Sequence, residues 1–148
     1  MRRLLAGALG LVLLLPACGA GGASPPDFTA TPDLSTERDR IVAELTAVPA
    51  LTGTEVRLSS GATTGNQVVI DAATTSADPA EQRVTLEEIT RAGWHTAAFV
   101  PTEVRTSLVG PDGATLDPRD LGFPRRGADA AGLFARFGPP AADEEWRP

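Results

Sequence analysis

The 148-residue chain contains no lysine, no tyrosine, one cysteine (Cys18) and one histidine (His95). A single cysteine cannot form a disulfide within the chain, and a zinc site built from histidine and cysteine ligands lacks the residues it needs. Two tryptophans and five phenylalanines are too few for a stacking platform that binds bases or sugars. These shortages exclude a disulfide framework, and no cofactor or metal ion is expected.

The chain is acidic, because 19 aspartates and glutamates outnumber 13 arginines and give a formal net charge of −6 at pH 7. If the segment that contains Arg2 and Arg3 is removed, 11 arginines remain against 19 acids and the charge becomes −8. The basic residues form no cluster. This charge balance argues against a nucleic-acid partner, which requires a basic surface for the phosphate backbone.

The first eighteen residues have the three-part organisation of an export signal. Arg2 and Arg3 provide a positive start, an apolar run extends from Leu4 to Leu15, and small residues follow. The apolar run is shorter than the roughly 20 residues that a membrane-spanning helix needs. Residues 1–17 are therefore predicted to be a signal peptide that is removed from the mature protein.

The segment Leu15-Pro16-Ala17-Cys18 resembles the lipobox of bacterial lipoprotein precursors. The leucine three positions before the cysteine and the alanine directly before it match that motif, whereas Pro16 departs from it. The resemblance implies that Cys18 becomes the mature N-terminus, carries acyl chains and anchors the protein to the extracytoplasmic face of a cell membrane. Two alternatives stay open: an ordinary secretory signal cleaved nearby, for instance after Ala20, and an uncleaved anchor.

The chain behind the signal divides into a tether and a domain. Residues 18–33 are mainly glycine, alanine, serine and proline, with little to bury apart from Phe28, and are predicted to form a lipid-anchored flexible tether of roughly 20–25 Å. Residues 34–138 are predicted to form a single α/β domain, since a chain of this length supports one hydrophobic core. Residues 139–148 are predicted to be a frayed tail.

Three helices are predicted. Apolar residues with helical spacing predict the first helix over residues 36–48, capped by Ser35 or Thr36. The second begins at Asp78-Pro79-Ala80-Glu81, which supplies a cap, a proline in the first turn and a favourable acid, and it is expected to end at Gly93. A terminal helix is predicted over residues 128–137.

Alternating apolar and polar residues predict strands over residues 54–59, 67–73 and 103–109, and a shorter strand over 114–117. The order helix–strand–strand–helix–strand favours the α+β class. The expected architecture is a small two-layer sandwich, in which the helices cover one face of a mainly antiparallel sheet and a short helix ends the domain.

The order of these elements is similar to that of uncharacterised secreted and lipid-anchored proteins from GC-rich Gram-positive bacteria. The likeness lies in the segments Ile41–Pro49, Ala92–His95 and Leu133–Pro139. This resemblance implies an envelope location, but no activity and no site residue.

Residues that could support catalysis are few. His95 is the only possible base of a Ser–His–acid triad, and none of the serines at positions 59, 60, 76 and 107 lies in a Gly-x-Ser-x-Gly motif. His95 is therefore expected to be a half-exposed residue at the end of the second helix, beside a buried Trp94. The adjacent acids Glu87 and Glu88 should diverge on a helix rather than form an acid–base pair.

A calcium loop is not expected either, because Asp112, Asp117 and Asp120 lack the Asp-x-Asp-x-Asp-Gly spacing. The expected function is non-catalytic binding of an envelope protein or wall component, through the free face or an edge strand of the sheet. A carrier that encloses an apolar ligand between sheet and helices, and a hydrolase, are the alternatives. The sequence leaves the partner and the oligomeric state open.

Overall fold

A computed structural model describes residues 33–148, which form a mixed five-stranded sheet with three α-helices. The predicted signal peptide, Cys18 and most of the predicted tether lie outside the described residues. Within residues 33–148, no helix combines the length and the apolar character needed to cross a membrane.

Helix α1 extends over Leu34–Thr46 and begins earlier than predicted, because Asp33 is its cap. The Asp33 carboxylate accepts hydrogen bonds from the backbone N–H groups of Ser35 and Thr36, at 3.1 and 3.2 Å. These groups have no partner within the helix, so a carboxylate at this position stabilises the first turn. The prediction of Ser35 or Thr36 as the cap is wrong.

Strands β1 (Leu51–Gly61) and β2 (Gly65–Thr74) form an antiparallel hairpin. β1 starts three residues earlier than predicted, and the pairing shifts at Gly53, which has a φ angle of +66° and forms a bulge. Strand β3 (Glu103–Val109) matches its prediction and lies parallel to β2. The short strands β4 (Thr115–Leu116) and β5 (Gly127–Asp129) both pair with β3 in antiparallel orientation. The predicted α+β class is therefore confirmed, with one parallel pair in a mostly antiparallel sheet.

Helix α2 (Pro79–Trp94) is capped by Asp78 as predicted, but Gly93 does not end it. A Cβ atom at Gly93 would lie 2.9 Å from a methyl group of Val104 and 3.2 Å from one of Val68. The glycine therefore lets the last turn of α2 approach the sheet closely, and the chain leaves the helix at His95.

The last part of the chain has a shorter helix than predicted and a tail that contacts the domain. Helix α3 covers Ala130–Phe137 rather than residues 128–137, because residues 127–129 pair with β3. The predicted frayed tail, residues 139–148, has no helix or strand, but Trp146 packs edge-on against Trp94 and Phe134 at centroid distances of 5.7 and 5.8 Å. Contacts between aromatic rings therefore hold the tail to the domain.

The hydrophobic core lies between the sheet and the helices, which cover the same face. Residues paired across the three long strands point their side chains into this core. One such row is Val56, Ile70 and Thr106, which are neighbours in the sheet and all buried. The largest fully buried side chains are those of Trp94, Ile41, Leu45, Ile70, Leu86, Ile89, Leu108 and Leu133. Trp94 is a core residue, as the sequence predicts.

Candidate functional site

A surface groove lies between α2 and the end of α1 with its connection to β1. It consists of two adjoining depressions of about 390 and 430 Å³ that share Val48, Pro49 and Glu88. We call it the α1–α2 groove. Its apolar lining comes from Leu45, Val48, Pro49, Ala50, Val84 and Ala92. Volumes of this size lie towards the lower end of those of small-molecule pockets, about 300–1,000 Å³.

Val84 is the most unusual residue of the groove, since 59% of its surface is exposed although it is a large apolar side chain. It lies on α2 away from the buried side of that helix, which carries Leu86 and Ile89. Val84 is not among the residues that the sequence predicts for a site, although an apolar residue outside the buried stripe of a helix is the sequence signal for such a surface.

The rim of the groove is acidic. Glu44, Glu81 and Glu88 line it, against one cation, Arg91. Glu44 accepts a hydrogen bond from Arg40 at 2.9 Å. Among the ion pairs of the described part of the chain, none includes Glu81 or Glu88. Two carboxylates beside an apolar surface are thus available to a cationic partner.

The connection from α1 to β1 is conformationally strained at the groove. Ala50 has a φ angle of +65°, the left-handed region that costs a residue with a Cβ atom about 1–2 kcal/mol. Its carbonyl accepts the Thr75 N–H at 2.9 Å, which holds the connection against the end of β2. Strain of this kind is concentrated at binding and catalytic sites in proteins, so it marks the groove as a candidate.

His95 lies at the other end of the groove, at the C-terminus of α2. Burial lowers its pKa, the nearby Arg91 lowers it further, and Glu44 opposes the change. The lowered pKa favours the neutral form of the imidazole. Within residues 33–148 it makes no hydrogen bond to a serine, so the structure does not bring a Ser–His pair together.

The candidate serines have other surroundings. Ser76 lines the groove and its hydroxyl donates to Glu81 at 2.6 Å, while Ser60 donates to Asn66 at 2.8 Å. Ser59 and Ser107 lie on β1 and β3. These positions are spread over the sheet and its connections rather than gathered around His95.

The aspartates considered for calcium serve local backbone geometry instead. At the start of the short 3-10 helix Pro118–Leu121, the Asp117 carboxylate accepts the Arg119 N–H at 3.0 Å and the Asp120 carboxylate accepts the Asp117 N–H at 2.8 Å. Asp112 accepts the Ala114 N–H in a turn. A hydrogen bond from Arg119 lowers the pKa of Asp117, although burial opposes it. In the described residues, no group of three or more metal-ligating side chains is positioned to hold an ion.

The face of the sheet opposite the helices, here the open face, carries alternating charges. Arg57 on β1 donates to Glu55 and to Asp71, both at 2.6 Å, and Arg105 on β3 donates to Glu103 at 2.9 Å. Each of these pairs includes an arginine whose side chain is 55% exposed, so the pairs contribute little to stability. The open face is a solvated surface of both charge signs.

Comparisons of the chain with protein-family models, with curated proteins and with solved structures gave no match.

Proposed function

We propose that this protein is an exported lipoprotein, anchored through acylated Cys18, whose domain binds an apolar, cationic segment of a partner protein without transforming it. The export and anchoring rest on the residues at the N-terminus: Arg2 and Arg3, the apolar run, and Leu15 and Cys18. The binding function rests on the α1–α2 groove.

One observation carries the binding function: an apolar groove whose rim bears Glu81 and Glu88 without ion-pair partners among residues 33–148. A partner with leucine-like side chains would cover Val84 and Pro49, and arginine or lysine beside them would neutralise the two carboxylates. Charge complementarity of this kind selects the partner and speeds its association.

The anchor is tested by the intact mass of the membrane-associated protein beside a Cys18→Ala variant. We expect a mature chain that starts at residue 18 and carries added acyl mass, because lipoprotein processing requires the cysteine. The variant should stay unprocessed. A soluble wild-type chain that starts at another residue would remove the anchor from the proposal.

The groove is tested by fluorescence anisotropy with a short labelled peptide of alternating leucine and lysine. We expect saturable binding of the peptide to the wild-type protein, and this binding should weaken as the salt concentration rises. The double variant Glu81→Gln/Glu88→Gln should bind the peptide with about tenfold lower affinity, because it lacks two charges of the rim. The matched control is Glu144→Gln/Glu145→Gln, which removes the same charge from the exposed tail and should bind the peptide like wild type.

Two further probes separate the alternatives. A peptide of alternating leucine and glutamate should bind far more weakly than the lysine peptide, because its charges repel the rim. Equal binding of both peptides would show that the carboxylates do not select the partner. Saturable uptake of a fluorescent long-chain fatty acid, with no peptide binding, would favour the carrier function instead.

A further inference from the structure

Strand β1 is the outermost strand on one side of the sheet. It pairs with β2 alone, and no strand of residues 33–148 pairs with its other edge. The opposite side of the sheet is different, since β4 and β5 cover the outer edge of β3. An eleven-residue edge with unpaired backbone N–H and C=O groups is a template for another strand.

Two residues of opposite charge flank the central residue of β1. Val56 is the midpoint of Leu51–Gly61, and the oppositely charged Glu55 and Arg57 flank it on the open face. The pairing irregularity at Gly53 lies outside the central segment, residues 54–58. This segment is therefore regular and carries one charge of each sign.

A strand with this pattern complements itself. If two copies of β1 pair antiparallel about Val56, residue 55 of each copy lies directly opposite residue 57 of the other. Glu55 then faces Arg57 twice, once on each side of the two-fold axis, and opposite charges at facing positions stabilise antiparallel pairs. Arg57 has five N–H donors and uses two of its nitrogens within the chain, so it can bind a further carboxylate.

We propose that two copies of this protein associate through β1, with the strands antiparallel about Val56, and form one continuous sheet across the dimer. The interface is isologous, as in most homodimers. The exposed fractions of Glu55 and Arg57, 66% and 55%, leave both side chains accessible to the second copy. The inference concerns a surface separate from the α1–α2 groove and does not depend on the proposed partner.

The test uses two full-length chains with different C-terminal tags, produced together and collected both from detergent-extracted membranes and from the medium, so that its result does not depend on the anchor. Capture through one tag is followed by measurement of the other. Wild-type chains should capture each other. Glu55→Arg puts arginine opposite Arg57, and Arg57→Glu puts glutamate opposite Glu55, so each variant should capture itself about tenfold less.

The two variants should rescue each other. In a mixture of Glu55→Arg with Arg57→Glu, both facing pairs again combine an arginine with a glutamate, and capture should return to the wild-type level. A general loss of folding could not produce this recovery. The control is Arg105→Glu, which reverses an arginine on the same face of β3, away from the edge, and should leave capture unchanged.

Absence of wild-type capture would overturn the proposal, as would single variants that capture themselves like wild type. Failure of the mixture to recover, with each variant folded by its thermal unfolding curve, would also overturn it, because pairing about Val56 requires the recovery.

Discussion

Replacement of Trp94 with alanine should lower the free energy of unfolding by about 3–5 kcal/mol, the range for large aromatic side chains removed from a core. The indole is fully buried, and its Nε1 donates to the carbonyl of Gly138 at 2.9 Å. Trp146 also packs against it. Urea unfolding followed by circular dichroism measures the loss. An unchanged slope of the unfolding free energy against urea concentration would show that the variant and the wild type unfold to the same state.

Two further variants divide this effect between packing and hydrogen bonding. Trp94→Phe keeps an aromatic ring but leaves the Gly138 carbonyl without its donor, and we expect a loss of about 2 kcal/mol. Trp146→Ala removes only the partly buried ring of the tail and should cost about 1–2 kcal/mol. A loss below about 0.5 kcal/mol for Trp146→Ala would mean that the tail is frayed in solution, as the sequence predicts.

Replacement of Glu37 with alanine should cost about 2–3 kcal/mol, although glutamate is usually a surface residue. Its carboxylate accepts the Thr96 hydroxyl at 2.8 Å and the Ala97 N–H at 2.7 Å, and it forms a two-point ion pair with Arg40. These contacts tie α1 to the chain that follows α2. Because Thr96 is fully buried, the substitution leaves a hydroxyl without an acceptor in the core.

The Glu37 contribution should also depend on pH. Burial raises the pKa of Glu37, but hydrogen bonds from Arg40, Ala97 and Thr96 outweigh it, and the pKa is lowered overall. A group whose pKa falls on folding stabilises the protein above its unfolded pKa, about 4.3 for glutamate, and this stability disappears as the pH falls through the folded value. The difference in stability between wild type and Glu37→Gln should therefore shrink as the pH is lowered from 5 towards 3.

Glu44→Ala is the matched control for Glu37→Ala. Like Glu37, Glu44 lies on α1 and forms an ion pair with Arg40, but the Glu44 side chain is 53% exposed. We expect a loss of about 0.3–0.5 kcal/mol, typical of an exposed pair spaced four residues apart on a helix. Equal losses for the two glutamates would contradict the role assigned to the buried contacts of Glu37.

Much of the fold could be predicted because its elements depend on local rules. Alternation predicts β3 over residues 103–109, as observed. Asp78 followed by Pro79 predicts the start of α2, because a cap and a proline satisfy the first turn without help from the rest of the protein. The wrong prediction that α2 ends at Gly93, and the aromatic contacts of the tail that the sequence does not reveal, have another origin. Glycine is needed at position 93 because the last turn of α2 lies close to Val104. The ring of Trp146 contacts the ring of Trp94, which is distant in the sequence.

The candidate site was less predictable than the fold. The groove combines residues of α1, its connection to β1 and α2, and no short sequence pattern connects Val48 with Val84 or Glu88. The sequence predicts that an edge strand could bind a partner, but it does not identify β1 as that strand. The sequence of a strand contains no information about which of its two edges pairs with a neighbouring strand. The symmetry of Glu55 and Arg57 about Val56 is visible in the sequence, but it has meaning only once β1 is known to be outermost.

The sequence by itself determined the acidic charge, the α+β class and the alternation of apolar residues along the strands, since these follow from composition and periodicity. It also contains the pattern that predicts export and lipidation at Cys18. The tertiary structure alone decided that β2 and β3 are parallel, that Glu37 is buried, and that β1 has an open edge. These features depend on contacts between residues far apart in the chain, and local preferences of the backbone carry no information about such contacts.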